Sequence, residues 1–246
     1  CMAKQSGLGN NFYVGGYDLS GDTASLNIAA SARSTFEVTG VNQSAMDRVL
    51  GLSTGVISFE SHFNDAALQE HVALSALPTT DRVAIYSVGE TLNDTAAGLV
   101  CKQLNYDWTR GNDGSLSLAC ELQGSAGSPI EWGNILTTGV QTVSSAASTT
   151  SIDQSASSSQ GARAYIMNFT LSSGSPTVKI EDSPNDSSWS DLITFSTSSA
   201  ASAERKTVTG TINRYVRCTL TGTFSNLAFA VVLVRGTAQD DVSLAS

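Results

Sequence analysis

Few residues in the sequence have the types and the spacing that enzyme catalysis requires. Residues 51–55 fit the G-x-S-x-G pattern of serine hydrolases, which needs a strand before the serine, a helix after it and a histidine much later in the chain. Here the predicted elements come in the reverse order, and His62 and His71 follow Ser53 by fewer than 20 residues. We therefore interpret the pentapeptide as a turn, and the sequence predicts that the protein is not an enzyme.

The sequence also gives little indication of a metal-binding site. His62 and His71 are nine residues apart, on what we predict to be different elements, and no C-x-x-C pair supports a zinc site. Residues 181–191 gather four carboxylates in one loop, but they lack the order of an EF-hand. A solvated turn is the main interpretation, and a weak calcium or glycan site is the alternative. We predict no metal and no cofactor.

The four cysteines do not indicate a disulfide scaffold. Cys101, Cys120 and Cys218 are expected to be small buried hydrophobes. Cys1 precedes Met2, which looks like a natural start, so we interpret Cys1 as an addition to the natural chain. A lipid-modified N-terminal cysteine is the alternative, but no signal peptide precedes it.

Composition excludes two further classes of protein. The net charge is -9 and the sequence pI is about 4.5, whereas a nucleic-acid binder needs a basic surface. No run of 18 apolar residues occurs, so no membrane span is predicted. Charged residues make up only 14% of the chain, against about 25% in ordinary soluble domains. The polar surface must therefore come from Ser, Thr, Asn, Gln and Gly.

The chain divides into two halves of different composition. Residues 1–136 carry 6 basic and 14 acidic residues, whereas residues 137–246 carry 7 and 8. The stretch 137–160 is dominated by Ser, Thr and Ala, which is typical of a linker that leads into a polar edge strand. We expect one domain over 1–136 and a second over 137–246.

The first half is predicted to be antiparallel β-structure with short helices. Residues 57–63 and 116–122 alternate apolar and polar side chains, as expected of strands that cover a core on one face only. Gly15-Gly16 indicates a tight hairpin turn. The other expected elements are helices near 44–51 and over 66–77, a strand over 82–88, and a hairpin of 98–109 with 115–123.

The second half is predicted to be all β. Its candidate strands recur about every ten residues with Gly, Ser, Asn or Pro between them, which is typical of a β-sandwich. The candidates are 164–171, 177–182, 192–196, 206–211, 215–221 and 227–234. We expect an immunoglobulin-like or jelly-roll-like sandwich.

Several stretches resemble the virion tail proteins of long-tailed (siphovirus-type) bacteriophages. The opening Gly7-Leu8-Gly9-Asn10-Asn11-Phe12-Tyr13-Val14-Gly15-Gly16-Tyr17-Asp18 carries the resemblance first. It continues through residues 48–52 (RVLGL), 74–78 (LSALP), 102–107 (KQLNYD), 110–116 (RGNDGSL) and 214–234. The resemblance is to the major tail, or tail tube, proteins.

This resemblance implies a structural function. Tail tube proteins have a β-sandwich core with a flanking helix, form hexameric rings and stack into a conduit for double-stranded DNA. The implied partners are further copies of this chain and other tail proteins, and the implied location is the virion tail, assembled in the host cytoplasm. The alternative is a head decoration or fibre-type virion protein.

Two surface hypotheses follow for a tube. A basic bore would hold DNA phosphates, so we expect the polar strand faces with Glu60 and Glu121 to line the lumen. The segments 5–22 and 23–43 are expected to be an arm and a loop that pack on neighbouring subunits, and a chain without residues 2–22 to stay folded. As an alternative function, Trp189, flanked by Asp186 and Asp191, could stack on a sugar ring; a buried Trp189 is the main interpretation.

Overall fold

The computed structural model describes residues 6–30, 34–125 and 129–236. This part of the chain is mainly β, which confirms the predicted fold class. The elements of the first half are β1 Asn11–Val14, β2 Tyr17–Asp18, β3 Thr23–Ala30, β4 Thr35–Glu37, β5 Arg48–Leu50, β6 Gly55–His62, α1 Glu70–Leu74, β7 Arg82–Ser87, β8 Thr95–Gln103, β9 Asp107–Arg110, β10 Leu116–Gly124 and β11 Glu131–Ile135. Those of the second half are β12 Gln141–Val143, β13 Ile152–Asp153, β14 Ala162–Gly174, β15 Thr177–Ser183, β16 Ser190–Thr197, β17 Ser202–Val208, β18 Tyr215–Thr221 and β19 Phe224–Arg235.

One large antiparallel sheet organises the molecule. Its main path runs β17-β14-β19-β11-β8-β10-β6-β3, and β1, β2, β7, β9 and β12 attach beside that path. β8 is the junction, because it pairs with β7 along one edge and with β11 and then β10 along the other. A second sheet has the order β13-β18-β15-β16, and β4 and β5 form a separate two-stranded ribbon.

Three hydrophobic cores separate the strands into four layers. The first core lies between the second sheet and one face of β14 and β19, and includes Ile166, Val178, Ile180, Val216, Phe229 and Val231. The second lies between the other face of β14 and β19 and strands β1 and β7, and includes Tyr13, Ile85, Tyr165, Met167, Ala230 and Val232. The third lies between strands β1, β7 and β8 and strands β6 and β10, and includes Phe12, Val14, Leu99, Ile57, Phe59 and Leu118.

Sequence pattern follows this layering closely. β19 is apolar without interruption from Leu227 to Val234 because both of its faces are covered, one by each of two cores. β6 and β10 alternate because only one of their faces is covered. All six strands predicted in the second half are present, although β17 begins four residues before its expected start.

The predicted Gly15-Gly16 hairpin is confirmed. Both glycines have positive φ, 60° and 97°, as a two-residue turn between antiparallel strands requires. The turn also lies against the start of β17, since a Cβ on Gly16 would be 2.3 Å from the carbonyl carbon of Ala201. A side chain at this position would therefore clash with the second half of the chain.

The predicted helices are largely wrong. No helix forms over residues 44–51; β5 forms there instead and pairs with β4, because three or four residues with a capping serine do not nucleate a helix. Over 66–77 only α1, Glu70–Leu74, is helical. Asn64 does bond the Ala66 amide (3.1 Å), but Leu68 takes a positive φ of 66°, which interrupts the helix that the apolar pattern indicated.

The predicted strand over 98–109 is in fact two strands. β8 ends at Gln103, and β9 starts at Asp107 after a short turn. The predicted hairpin therefore consists of β9 and β10, with Arg110 opposite Leu116. This division frees β9 to form an edge of the sheet.

The prediction that residues 5–22 form an arm on neighbouring subunits is wrong from residue 11 onwards. β1 pairs with β7 along its whole length, and Phe12, Tyr13, Val14 and Leu19 are buried in its own subunit. The expectation that a chain without residues 2–22 stays folded is therefore wrong, because the deletion would remove side chains from two cores. Residues 1–5 lie outside the described part.

The two halves are joined by backbone hydrogen bonds and by a core. β11, at the end of the first half, pairs with β19 through Asn134 and Ile135, and the core around Tyr165 takes side chains from both halves. The Ser- and Thr-rich stretch runs along the sandwich, where β12 pairs with β19 and β13 with β18. The division into two domains at residue 136 stays a prediction.

Candidate functional site

A polar sheet face without a covering layer is the main surface feature of the first half. Strands β3, β6, β10 and β9 turn alternate side chains away from the core, and these are exposed or half-exposed. The eleven residues, which we call the open face, are Ser25, Asn27, Ser58, Glu60, His62, Asp107, Thr109, Ser117, Ala119, Glu121 and Gln123. Opposite them on the inner side lie Ile57, Phe59, Leu118, Cys120 and Leu122.

The open face is anionic. Its charged side chains are Glu60, Glu121 and Asp107, and it includes no lysine or arginine. Glu60 lies opposite Ala119, and Glu121 opposite Ser58, so the two predicted lumen residues are on adjacent strands of the same face. Lys102 lies opposite Gln123 at the margin, where its Nζ is 2.8 Å from an oxygen of Asp81. The two-residue alternation predicted that each glutamate lies on the polar face of its own strand, and the pairing of β6 with β10 brings the two faces together.

Both lateral edges of this four-stranded unit are unpaired within the described chain. β3 pairs with β6 and no other described strand, and β9 pairs only with β10 among the described strands. β6 and β10 lie between them, which puts the two edges about 14 Å apart at a strand spacing of about 4.8 Å. Such edges expose backbone donors and acceptors that can pair with another chain.

A hairpin projects next to the open face. Residues 34–52 include β4 and β5, whose side chains are all exposed on both faces of the ribbon. Phe36 is 61% exposed and Leu52 84%. Other exposed apolar side chains of this projecting hairpin are Val38, Val41, Met46, Val49 and Leu50. A two-stranded ribbon has little stability alone in water, and contiguous apolar exposure is typical of a protein interaction site.

An aromatic cluster lies at the β9 edge. It comprises Phe63, His71, Tyr106 and Trp108, whose ring centroids are 4.7 to 5.9 Å apart. Trp108 is 48% exposed, and Nδ1 of His71 is 2.5 Å from the Tyr106 hydroxyl. The sequence did not indicate this cluster, because its members come from α1, β9 and the adjoining loops, which only the folding of the chain brings together.

The predicted sugar-stacking residues do not form a cluster. Trp189 is half-buried, and the guanidinium of Arg217 lies over its ring, 4.0 Å from the ring centroid. Asp186 is exposed in a positive-φ turn, while Asp191 accepts a bond from Lys179 at 2.6 Å. The Trp189 face under Arg217 is thus already occupied by a cation–π contact.

Three of the four carboxylates in residues 181–191 have separate partners, and Asp186 is the exception. Glu181 pairs with Arg217 (2.8 Å), Asp182 accepts the backbone amide of Asn213 (2.7 Å), and Asp191 pairs with Lys179. Across residues 6–30, 34–125 and 129–236, no three His, Cys, Asp or Glu side chains come together as a metal site. No helix of the described part has the length and apolarity to cross a membrane.

A buried ion network links the two halves behind the open face. The Glu131 carboxylate is 3.0 Å from Nε of Arg163 and 3.0 Å from Nη2 of Arg205, and it accepts the hydroxyl of Tyr165. Burial is the main cause that raises the pKa of this tyrosine. Paired on all sides, Glu131 fits a structural function better than a catalytic one.

Comparisons with known proteins give structural likeness only at a low level. No family model matches the chain, and no curated protein matches it. The Dit protein of SPP1, described as a paradigm of the hub adsorption apparatus in phages that infect Gram-positive hosts, is 10% identical with a TM-score of 0.35, over 92% of this chain and 99% of that one. A chain from the tail of an empty GTA particle refined with C6 symmetry is 15% identical with a TM-score of 0.35, over 42% and 78%. A chain of the phage p2 baseplate in its activated conformation is 8% identical with a TM-score of 0.30, over 92% and 98%.

Proposed function

We propose that this protein is a tail tube subunit of a long-tailed bacteriophage. Copies form hexameric rings, the rings stack, and the bore conducts double-stranded DNA without binding it specifically. The observation that carries the proposal is the open face: a four-stranded sheet unit with a polar, anionic outer side and an unpaired strand at each edge. Its other partners are the remaining tail proteins, and it resides in the virion tail after assembly in the host cytoplasm.

The two free edges allow a ring to close. If β3 of one copy pairs with β9 of the next, the four-stranded units join into one continuous barrel with no edge left open, which removes the edge-strand liability. With six copies, strands about 4.8 Å apart and tilted by about 40° give a barrel roughly 45–50 Å across between backbones. This bore is wider than a DNA duplex.

The charge of the open face suits a conduit. Glu60, Glu121 and Asp107 on each copy would give the wall a negative potential, so DNA phosphates gain nothing by contact with it. Salt screens the repulsion beyond about 8–10 Å, so DNA in the centre of the bore meets little resistance. An uncharged or anionic polar wall therefore lets DNA slide, whereas a basic wall would hold it.

The projecting hairpin supplies an apolar contact between copies. Its exposed side chains, such as Phe36, Val49 and Leu52, gain stability only when another surface covers them. In a stacked tube the surface available at every position is that of a neighbouring subunit. The projecting hairpin therefore takes the place of residues 11–22 as the segment expected to contact neighbouring subunits, because residues 11–22 lie in the subunit's own sheet.

Disulfide trapping tests the ring directly. Asn27→Cys on β3 and Thr109→Cys on β9 point to the same face and belong to opposite edges, too far apart for a bridge within one subunit. In a Cys1→Ser background, we expect oxidation of the double variant to give a ladder of bands that ends at six copies. Neighbouring copies could pair one register step away from this alignment. Two further double variants test this, with Ser25→Cys in place of Asn27→Cys or Asp107→Cys in place of Thr109→Cys.

The single-cysteine variants are the matched controls, because each can form at most a dimer. Electron microscopy of the unmodified protein provides the second readout, and rings or rods are expected. A double variant that stays monomeric in every register, together with dispersed globules in the micrographs, contradicts the tube and favours a head decoration or fibre subunit.

Binding of cell-wall glycan that Trp189→Ala abolishes and Trp132→Ala leaves intact would favour the adhesion alternative.

A further inference from the structure

A fully buried carboxylate lies close to the aromatic cluster. Glu70, the first residue of α1, is 0% exposed. Neither of its carboxylate oxygens has a side-chain hydrogen-bond partner among the described residues. An ionised carboxylate in such a place is costly, so the site is built for the neutral acid.

The groups that face Glu70 strengthen this preference. Asp22 is nearly buried as well, and its carboxylate accepts the Glu70 backbone amide (3.3 Å) and the Asn64 side chain (2.9 Å). Tyr106 and Cys120 face Glu70 from the β9 turn and from β10, and both keep their protons, since burial raises the pKa of each to about 12. Burial, and then the nearby charge of Asp22, raise the pKa of Glu70 to about 7, and a backbone hydrogen bond from Asn64 acts in the opposite direction.

α1 connects Glu70 to the β9 edge. The next residue, His71, contacts the Tyr106 hydroxyl and the rings of Phe63 and Trp108. At the other end of α1, Arg82 donates to the carbonyl of Ala73 (2.7 Å). With five residues α1 has no stability of its own, so it depends on these contacts, and the environment of Glu70 and His71 governs its first turn.

We propose that Glu70 is a pH sensor of the subunit: held protonated beneath α1, it loosens α1 and the aromatic cluster at the β9 edge when it ionises. The link to ring closure depends on the proposed function, because β9 is a ring contact only in a tube. The loosening of α1 does not depend on it. The two parts can therefore fail separately.

The direction of the pH effect follows from linkage. Below the unfolded pKa of 4.5, Glu70 is protonated in both the closed and the open state, and the closed state bears no penalty. As the pH rises from there to about 7, the open state ionises while the closed state stays neutral, so α1 opens more readily. Above about 7 the penalty is constant, because Glu70 is charged in both states.

Hydrogen exchange of the α1 amides, corrected for the intrinsic rate, measures this opening in the full-length protein. Between about pH 5 and about pH 8 we expect the opening constant of the wild-type protein to rise by up to about 100-fold, since one pKa unit corresponds to a tenfold change. Glu70→Gln and Glu70→Leu should show a flat profile. Two variants are used so that a folding defect in one leaves the other to be measured.

Asp65→Asn is the matched control, because Asp65 belongs to the same segment and is exposed; it should keep the wild-type profile. A flat profile of the wild-type protein, or a Glu70→Gln variant that keeps the pH dependence, would overturn the sensor. The link to ring closure is tested separately, by light scattering of tube assembly at about pH 5 and about pH 8. Equal assembly despite pH-dependent exchange would overturn only the link to the ring.

Discussion

At the residue scale, one small site joins the two halves of the chain. Gly98 on β8 lies opposite Glu131 on β11, and Tyr165 from the second half packs on Gly98 and bonds Glu131. A Cβ on Gly98 would lie 2.5 Å from the tyrosine ring. Glycine is required here by the close approach of an aromatic ring, and no feature of the local sequence indicated it.

Gly98→Ala should therefore destabilise the protein. The added methyl group overlaps the Tyr165 ring, which is fixed between Glu131 and Arg205, so we expect a loss of about 1–3 kcal/mol. The measurement is the free energy of unfolding by urea. Gly21→Ala is the control, because a Cβ at Gly21 meets no atom within 4 Å. Equal stability of the two variants would show that Tyr165 moves freely.

Glu131→Gln tests the ion network at the same site. The amide keeps the shape but removes the negative charge that Arg205 and Arg163 contact in a buried place, and we expect a loss of about 2–3 kcal/mol. Thermal unfolding by circular dichroism gives the value. Asp153→Asn, which breaks the exposed pair with Arg214, should leave the midpoint nearly unchanged. A neutral outcome for Glu131→Gln would mean that the network adds no net stability.

At the scale of elements, the function of a strand depends on whether one or both of its faces are covered by other layers. β14 and β19 are covered on both faces and hold the layers together. β3, β6, β10 and β9 are covered on one face and leave the other to form the proposed bore. The ribbon of β4 and β5 has neither face covered, so its apolar side chains are available for contacts with other copies.

Polar substitution of the projecting hairpin should separate folding from assembly. Phe36 and Val49 are register partners, and Phe36→Ser with Val49→Ser should remove the apolar contact while the cores stay intact. We expect a folded monomer that forms no tubes in sedimentation velocity. Phe36→Leu with Val49→Ile keeps the apolar surface and should assemble normally. Tubes from the serine variant would show that the hairpin is dispensable.

At the scale of the whole molecule, the charge distribution suits the proposed assembly. The first half carries most of the net charge of -9, and its open face has acidic residues and no basic ones. On the outer face of the second sheet, by contrast, Glu181 pairs with Arg217 and Asp191 with Lys179. Glu60, Glu121 and Asp107 thus place three negative charges per copy on the surface proposed to meet DNA.

Reversal of this charge should turn the conduit into a DNA-binding tube. Glu60→Lys with Glu121→Lys places basic side chains on every copy, and counterion release then favours DNA binding. We expect these tubes to retain duplex DNA at low salt and release it as the salt concentration rises, as measured by co-sedimentation. Asp65→Lys with Asp186→Lys makes the same charge change off the open face. Equal retention by both variants would contradict a bore lined by Glu60 and Glu121.

The fold class, most strands, the Gly15-Gly16 turn and the alternation that puts Glu60 and Glu121 on the polar faces of their own strands could be predicted from the sequence alone. These features depend on local periodicity and local backbone conformation, which a single stretch of chain contains. The packing of distant segments was needed to show that residues 11–14 lie within the sheet, that β6 and β10 are neighbours, that β9 separates from β8, that β3 and β9 have free edges among the described residues, and that Glu70 is buried beside Asp22. Each of these depends on pairing or packing between segments far apart in the chain, and the same local pattern is compatible with several such arrangements.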